Sequence, residues 1–327
     1  MVTRTSGLAT GTKTLMGMVL LTIGFVATLA TVLGFFGGAW WAFDLAANYR
    51  FQLGLLLVVV GVLYWFTVAK GAAILFLVAG LANLALVLPL YIGSQAPAAS
   101  DERLDVVTFN VEGEVAARTE ILQWLRSVEA DLVFLQETTD EWLTALEEND
   151  IGMEVIAVPP ADVLQGIIVL AREEATASVY EVGTSNDWIV EVSTSLAGTS
   201  VTVLGIQPRP ADNQRDAAAR DALLVEVGDI AGARSEPVAV VGDLNATRWS
   251  NAYRDMRDRG GLQDSAEGFG FHGTWPASNI PVIGSLIAVP VDHVLTTRAL
   301  TTTERSLGPK MGSSHLPLLV ELATAGS

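Results

Sequence analysis

Cysteine is absent from this 327-residue sequence, which excludes disulfides, thiolate metal sites and a cysteine nucleophile and leaves the compartment to be read from topology. Histidine is scarce: His272, His293 and His315 are the whole set. Basic residues are few, with 19 Lys+Arg against 36 Asp+Glu. No internal repeat and no glycine-rich phosphate loop is present, Gly268-Phe269-Gly270 being too short to count as one. Charge of either sign is almost missing from the first hundred residues, where only Arg4, Lys13, Asp44, Arg50 and Lys70 carry it. Residues 101–327 therefore hold 15 Lys+Arg and 35 Asp+Glu, a net charge of −20. Such a surface repels polyphosphate at long range and argues against nonspecific nucleic-acid binding unless divalent cations intervene.

What fills the N-terminal part instead is apolar sequence. Three stretches, about 14–36, 51–68 and 72–92, approach the ~20 residues that cross a bilayer as a helix. They predict a multi-pass membrane anchor over residues 1–93 whose lipid partner is the bilayer itself. A retained first span is favoured over a cleaved signal peptide, since the stretch exceeds a signal h-region and more apolar sequence follows. Arg4 and Lys13 precede the first span and Lys70 lies between the second and third, so the positive-inside bias places both on the cytoplasmic side and the C-terminal domain outside the cytoplasm. Trp40 and Trp41 fall where interfacial aromatic residues are expected.

Residues 94–102, small, polar and proline-bearing, have the composition of a linker. From about residue 103 to 327, β-like runs alternate with helical ones: strands near 104–109, 132–135, 167–170, 188–192, 201–206, 238–241, 291–295 and 318–322, and helices near 116–128, 140–146 and 212–230. About ten strands with few long helices predict an α/β domain of two packed mixed β-sheets flanked by helices, a four-layer sandwich, rather than one doubly wound sheet.

Polar residues recur where apolar strands end, at Asn110 and Glu112, at Gln136-Glu137, at Gly242-Asp243-Leu244-Asn245, at Asp292, and in Ser313-Ser314-His315-Leu316-Pro317. Taken one at a time these are ordinary turn and cap residues. In this order they resemble the endonuclease/exonuclease/phosphatase family across essentially the whole domain. The resemblance implies a DNase I-like fold and a divalent-metal-dependent phosphoester hydrolase, working with Mg²⁺ or Mn²⁺ on a nucleic acid, a phospholipid headgroup or a small phosphodiester. It implies Glu137 as principal metal ligand with Asn110 and Glu112, Asp243 and Asn245 at the nucleophilic water and a phosphate oxygen, His315 as acid/base or phosphate contact, and Asp292 as the carboxylate fixing its tautomer. If residues 243–245 are extended, the two side chains share one side.

Two departures matter. Ser314 stands where many relatives carry Asp before the last histidine, which removes a metal-binding charge. Gln207 stands where nuclease-like relatives carry a proton-donating histidine, and glutamine donates no proton at useful pH; Gln207, Asn245 and Ser314 remain as phosphate contacts. A rival reading follows, in which the family scaffold has lost turnover and binds a phosphorylated ligand or partner protein. His293 is assigned to packing and Trp249 to packing ahead of a Ser250 helix cap. His272 is left between pocket and loop, and Arg248, Arg254, Arg257 and Arg259, interleaved with Asp255 and Asp258, to a solvated helix. The apolar stretch 280–289 fits either lipid contact or ordinary packing.

Overall fold

The computed structural model describes residues 4–66, 70–113, 117–158, 166–183, 187–278, 284 and 286–326, with side chains from residue 15 onward. The chain divides into two compact units, Met1–Pro89 and Leu90–Ser327.

The first unit is helical: α1 (Arg4–Leu33), a 3₁₀ turn (Gly34–Ala39), α2 (Trp41–Ala47), α3 (Arg50–Trp65) and α4 (Lys70–Val87); the short helix α5 (Pro89–Ile92), which follows α4, starts at the boundary between the units. Among the described residues two helices are long and apolar enough by themselves to cross a membrane, Leu15–Ala39 and Lys70–Ile92. The expected second span is shorter than foreseen. At 16 residues, α3 reaches roughly 24 Å against a hydrocarbon core of about 30 Å. It attains span length only together with α2, from which it is bent by 66°. Three spans are thus corrected to two, or three where the bent pair crosses as one. The end of that stretch, residues 67 and 68, lies outside the described residues. Arg50, 2 % exposed, donates from Nη1 to the Thr31 carbonyl at 2.9 Å and to Asn83 Oδ1 at 3.1 Å, while Asn83 Nδ2 donates to Thr31 Oγ1 at 2.8 Å. A charge in an apolar unit costs least when its donors are met by polar atoms in this way.

Among its described residues the second unit has twelve strands: β1 (Leu104–Asn110), β2 (Leu132–Gln136), β3 (Glu154–Ala157), β4 (Ile167–Ala171), β5 (Thr176–Val182), β6 (Asp187–Leu196), β7 (Thr199–Ile206), β8 (Val238–Asp243), β9 (Leu262–Asp264), β10 (Asp292–Thr297), β11 (Leu300–Leu307) and β12 (Leu318–Thr324). They form two six-stranded mixed sheets, ordered β11-β12-β1-β2-β4-β3 and β5-β6-β7-β8-β10-β9. Strand periodicity builds the layers. Val106, Leu132 and Phe134 meet Val190, Val203 and Val241 between the sheets. The alternate residues Val107, Phe109 and Leu135 face α6 (Arg118–Ser127) and α7 (Asp140–Glu148) through Ile121, Leu125 and Trp142. On the other outer face Leu204, Ile206 and Val240 meet α8 (Gln214–Ala233) and α9 (Asn251–Gly260) through Leu223, Val227 and Met256. This is the expected sandwich of two mixed sheets flanked by helices. The predicted start of α6, Ala116, lies outside the described residues.

Residues 95–99 are fastened to the domain. Gln95 Nε2 donates to the carbonyls of Asp264 and Glu267, the Ala96 carbonyl accepts from Thr301 Oγ1, and Ala98 pairs with Ala325. The Ala99 N–H donates to the Thr324 carbonyl at 2.8 Å and the Gly326 N–H to that of Pro97 at 2.7 Å.

Candidate active site

Strand pairing delivers the motif residues to one edge of the sandwich. Asn110 and Gln136 end the parallel β1–β2 pair in register. In the other sheet Asp292, the first residue of β10, lies opposite Asp243, the last of β8. Asn110 joins the sheets, its Nδ2 donating to Glu137 Oε1 at 2.8 Å and to Asp243 Oδ2 at 3.1 Å.

The backbone at this edge is unusual. Glu112, Glu137 and Asn245 all have positive φ, at 50°, 54° and 47°, a left-handed conformation that non-glycine residues keep only where surrounding contacts impose it. Gly242 has φ 147°, and a Cβ there would stand 1.9 Å from the Ile206 carbonyl oxygen, so no other residue fits before Asp243. The strand stops at Asp243 and Asn245 is left-handed, so the condition of an extended run over residues 243–245 is not met. Instead the Asn245 N–H donates to Asp243 Oδ1 at 2.9 Å, and Asn245 Nδ2 donates to the Pro208 carbonyl at 2.9 Å. Arg220, buried on α8, holds the Asn245 carbonyl through Nη1 at 3.1 Å.

Asp243, Asp292 and His315 come together, each offering one ligand atom within 4.8 Å of the others. All three are buried. His315 Nδ1 lies 3.0 Å from Asp292 Oδ2 and Nε2 lies 3.8 Å from Asp243 Oδ2. With Nδ1 already taken by Asp292, the cluster fits an oriented acid/base histidine better than a metal cage. Burial opposes charge on the ring, but Asp292, then Asp243 and Glu112, outweigh it and hold His315 at a raised pKa of about 9. Burial, reinforced by the Asp292 carboxylate, pushes Asp243 above the usual carboxylate range.

Glu137, half-buried, accepts the amides of Asn110 and Gln207 on Oε1 alone. Gln207 is buried, and its amide is engaged by Glu137: Nε2 donates to Glu137 Oε1 at 3.0 Å, and Oε1 accepts the Glu137 N–H at 3.2 Å. Glu112 turns toward the last motif. Its Oε2 accepts the Ser314 N–H at 2.6 Å and its Oε1 the Ser314 hydroxyl, while its own N–H donates to Asn110 Oδ1 at 2.9 Å. A carboxylate therefore reaches position 314 from a different strand end. The donors fit a hard divalent cation: an acceptor-only carboxylate whose Oε2 has no hydrogen bond among the described residues, an amide oxygen at Asn110 and a second carboxylate at Glu112.

Four neighbours of the site were not singled out in the sequence. Ser313 Oγ donates to the Asn110 carbonyl at 2.7 Å and accepts the His315 N–H at 3.0 Å. Thr274 Oγ1 accepts the Asp292 N–H at 3.3 Å. The Trp275 ring lies 6.4 Å from that of His315, and Arg220 braces the Asp243 loop as described. Ser313 lies in the last motif, and Thr274 and Trp275 lie in the loop of His272 left between pocket and loop; Arg220 had no such signal. His293 is buried, donating from Nε2 to the Ala246 carbonyl at 2.9 Å with its ring 4.8 Å from Tyr253, and burial lowers its pKa to about 4. Trp249 is buried against Phe271, and Ser250 stands at the N-cap of α9. His272 is half-buried, and burial likewise lowers its pKa to about 4. Arg248 departs from the expected solvated face: it precedes α9, sinks inward and pairs with Asp264 at 3.2 Å and Glu267 at 2.7 Å.

The two-sheet architecture recurs in solved structures. Humanized D. rerio TDP2 matches at TM-score 0.55 and 16 % identity, over 68 % of this chain and 99 % of that one. D. rerio TDP2 complexed with single strand DNA product matches at 0.53 and 18 %, over 68 % and 100 %. An AP endonuclease from Archaeoglobus fulgidus matches at 0.52 and 15 %, over 66 % and 98 %. No curated protein matches the sequence. The model of the Endonuclease/Exonuclease/phosphatase family covers residues 107–315, and the chain belongs to that family.

Proposed function

We propose that the chain is a divalent-metal-dependent phosphoester hydrolase anchored by its N-terminal apolar helices. The observation that carries this reading is the placing of His315 between Asp292 and Asp243, next to the Asn110–Glu137 pair. Glu137, with Asn110 and Glu112, would hold Mg²⁺ or Mn²⁺, which when bound neutralises charge on the phosphoryl oxygens. Asp243 accepts a proton from the attacking water, a task its raised pKa suits. His315, charged at neutral pH, faces the developing negative charge while Asp292 fixes its ring. Ser314 and Gln207 support a second reading, a family member that binds a phosphorylated ligand or partner protein without turnover, because neither supplies an acid to the leaving group. Hydrolysis of an activated phosphodiester by the full chain in detergent, with Mg²⁺, Mn²⁺ or EDTA and with His315→Ala as control, separates the two.

The catalytic domain lies outside the cytoplasm in this proposal, which requires α2 and α3 to cross as one span. If that pair re-enters instead, the chain crosses twice and the domain returns to the side of the N-terminus. A reporter fused after Ser327 that is active only outside the cytoplasm tests this; a silent reporter contradicts it.

A further inference from the structure

Among the described residues beyond Ile92, the large hydrophobic side chains left exposed are Val158, Trp275, Leu286 and Ile287. Three of these four belong to one loop system. Trp275 pairs with Val289 through reciprocal backbone hydrogen bonds of 3.1 and 2.5 Å, and the Ala288 N–H donates to the Gly284 carbonyl at 2.9 Å. Leu286 and Ile287, 49 % and 45 % exposed, therefore lie three and two residues before Val289, the backbone partner of Trp275, itself 38 % exposed. The same loop borders the site: the Ala277 N–H donates to the Ser314 carbonyl at 2.6 Å and the Leu316 N–H to that of Thr274 at 3.0 Å.

The other end of this loop holds the chain as it leaves the last apolar helix. The Gly270 N–H donates to the Leu90 carbonyl at 2.7 Å, and Gln95 Nε2 donates to the Asp264 and Glu267 carbonyls. The segment that ends a candidate membrane span and the apolar rim of the site are thus fastened to one stretch, residues 264–289. Exposed tryptophan and aliphatic side chains in a domain joined directly to a membrane segment favour the bilayer interface. The net charge of −20 over residues 101–327 disfavours an anionic surface or a nucleic acid as the occupant and suits a zwitterionic one.

We propose that Trp275, Leu286 and Ile287 seat in the interface of the bilayer occupied by the chain's own helices, and that the phosphoester presented to His315 is a lipid headgroup in that bilayer. The inference rests on the hydrolase and anchoring readings and names their substrate class. The natural absence of cysteine makes the test direct. Ile287→Cys and, as reference at the exposed start of β7, Ser200→Cys are labelled with an environment-sensitive fluorophore in the full chain reconstituted in phosphatidylcholine vesicles. Nitroxide lipid should quench position 287 and spare position 200. Equal exposure of both to an aqueous quencher, or a response of position 287 to single-stranded DNA but not to lipid, overturns the docking. Leu286→Ser/Ile287→Ser should lower turnover of vesicle phospholipid about tenfold or more and leave a soluble activated diester within about twofold of wild type. Equal loss on both overturns the rim's role. Wild type inert on both substrates but quenched at position 287 would defeat the hydrolase reading while sustaining the docking.

Discussion

Gln207 grips Glu137 at both ends, its amide N–H donating to the Glu137 carboxylate at 3.0 Å and its amide oxygen accepting the Glu137 backbone N–H at 3.2 Å. A glutamine that lacks the proton of a histidine has a use here as the support of the carboxylate proposed to hold the metal, at a residue of φ 54°. Supporting groups of this kind are typically worth about 10–100-fold in metal affinity. Gln207→Ala should raise the Mg²⁺ concentration for half-maximal binding by that range, as read by calorimetry. An unchanged affinity would return Gln207 to the role of substrate contact.

Glu112 and Ser314 form a second pair with a testable exchange. Ser314→Asp alone sets a new carboxylate against Glu112, and like charges in contact should weaken folding and metal binding together. Adding Glu112→Ser should recover much of both, because one carboxylate again serves the position. Additive losses in the double variant would show that the two positions do not share one task.

Asp292 is expected to act through His315. Asp292→Asn should lower kcat by about 10²–10⁴-fold with little change in KM, since the ring loses the partner of its Nδ1. A loss confined to KM would make Asp292 a substrate contact instead.

The pH dependence of stability has a source far from the site. Asp105 lies opposite Glu321 across the β1–β12 pair. Burial first, then Asp131, Glu321, Glu304 and Glu129, raise its pKa to about 6. An acid raised on folding binds its proton more tightly in the native state, so stability is greatest below the unfolded value and falls as pH rises from about 4 to about 6. Discounted for partial exposure, the cost above pH 6 is about 1–2 kcal/mol. Asp105→Asn should therefore raise Tm by a few degrees at pH 7.5, roughly 2–8 °C, and barely at pH 4. The same gain at both pH values would assign the effect to packing.

The strap at residues 95–99 sets where the domain can be cut. Its backbone and side-chain hydrogen bonds to residues 264–326 are worth about 0.5–1.5 kcal/mol each. A chain beginning at residue 101 should melt below one beginning at residue 93. Coincident melting curves would show the strap to be incidental.

Much of this was legible in the sequence, and what was missed has physical causes. The buried strands β1, β2, β4, β7 and β8 announce themselves as apolar runs, and their polar ends marked Asn110, Glu137, Asp243 and Asp292. The edge strand β11, Leu-Thr-Thr-Thr-Glu-Arg-Ser-Leu, gives no such run because the residues it buries include Thr301, Thr302 and Arg305, which tertiary contacts cover. The length of α3 was overread since apolar sequence continues past a bend that hydropathy does not register. Arg248 looked solvated because charge alternation along α9 says nothing of the residue before the helix. The grip of Gln207 on Glu137 joins positions 70 apart, a relation no local pattern contains.

The most direct measurement is hydrolysis of an activated phosphodiester by the full chain as a function of Mg²⁺ and Mn²⁺, beside His315→Ala. The account expects turnover that EDTA abolishes, that either metal restores, and that falls by at least about 10²-fold in the variant. Turnover no greater than that of His315→Ala under every metal would contradict it and leave the family scaffold as a binding module.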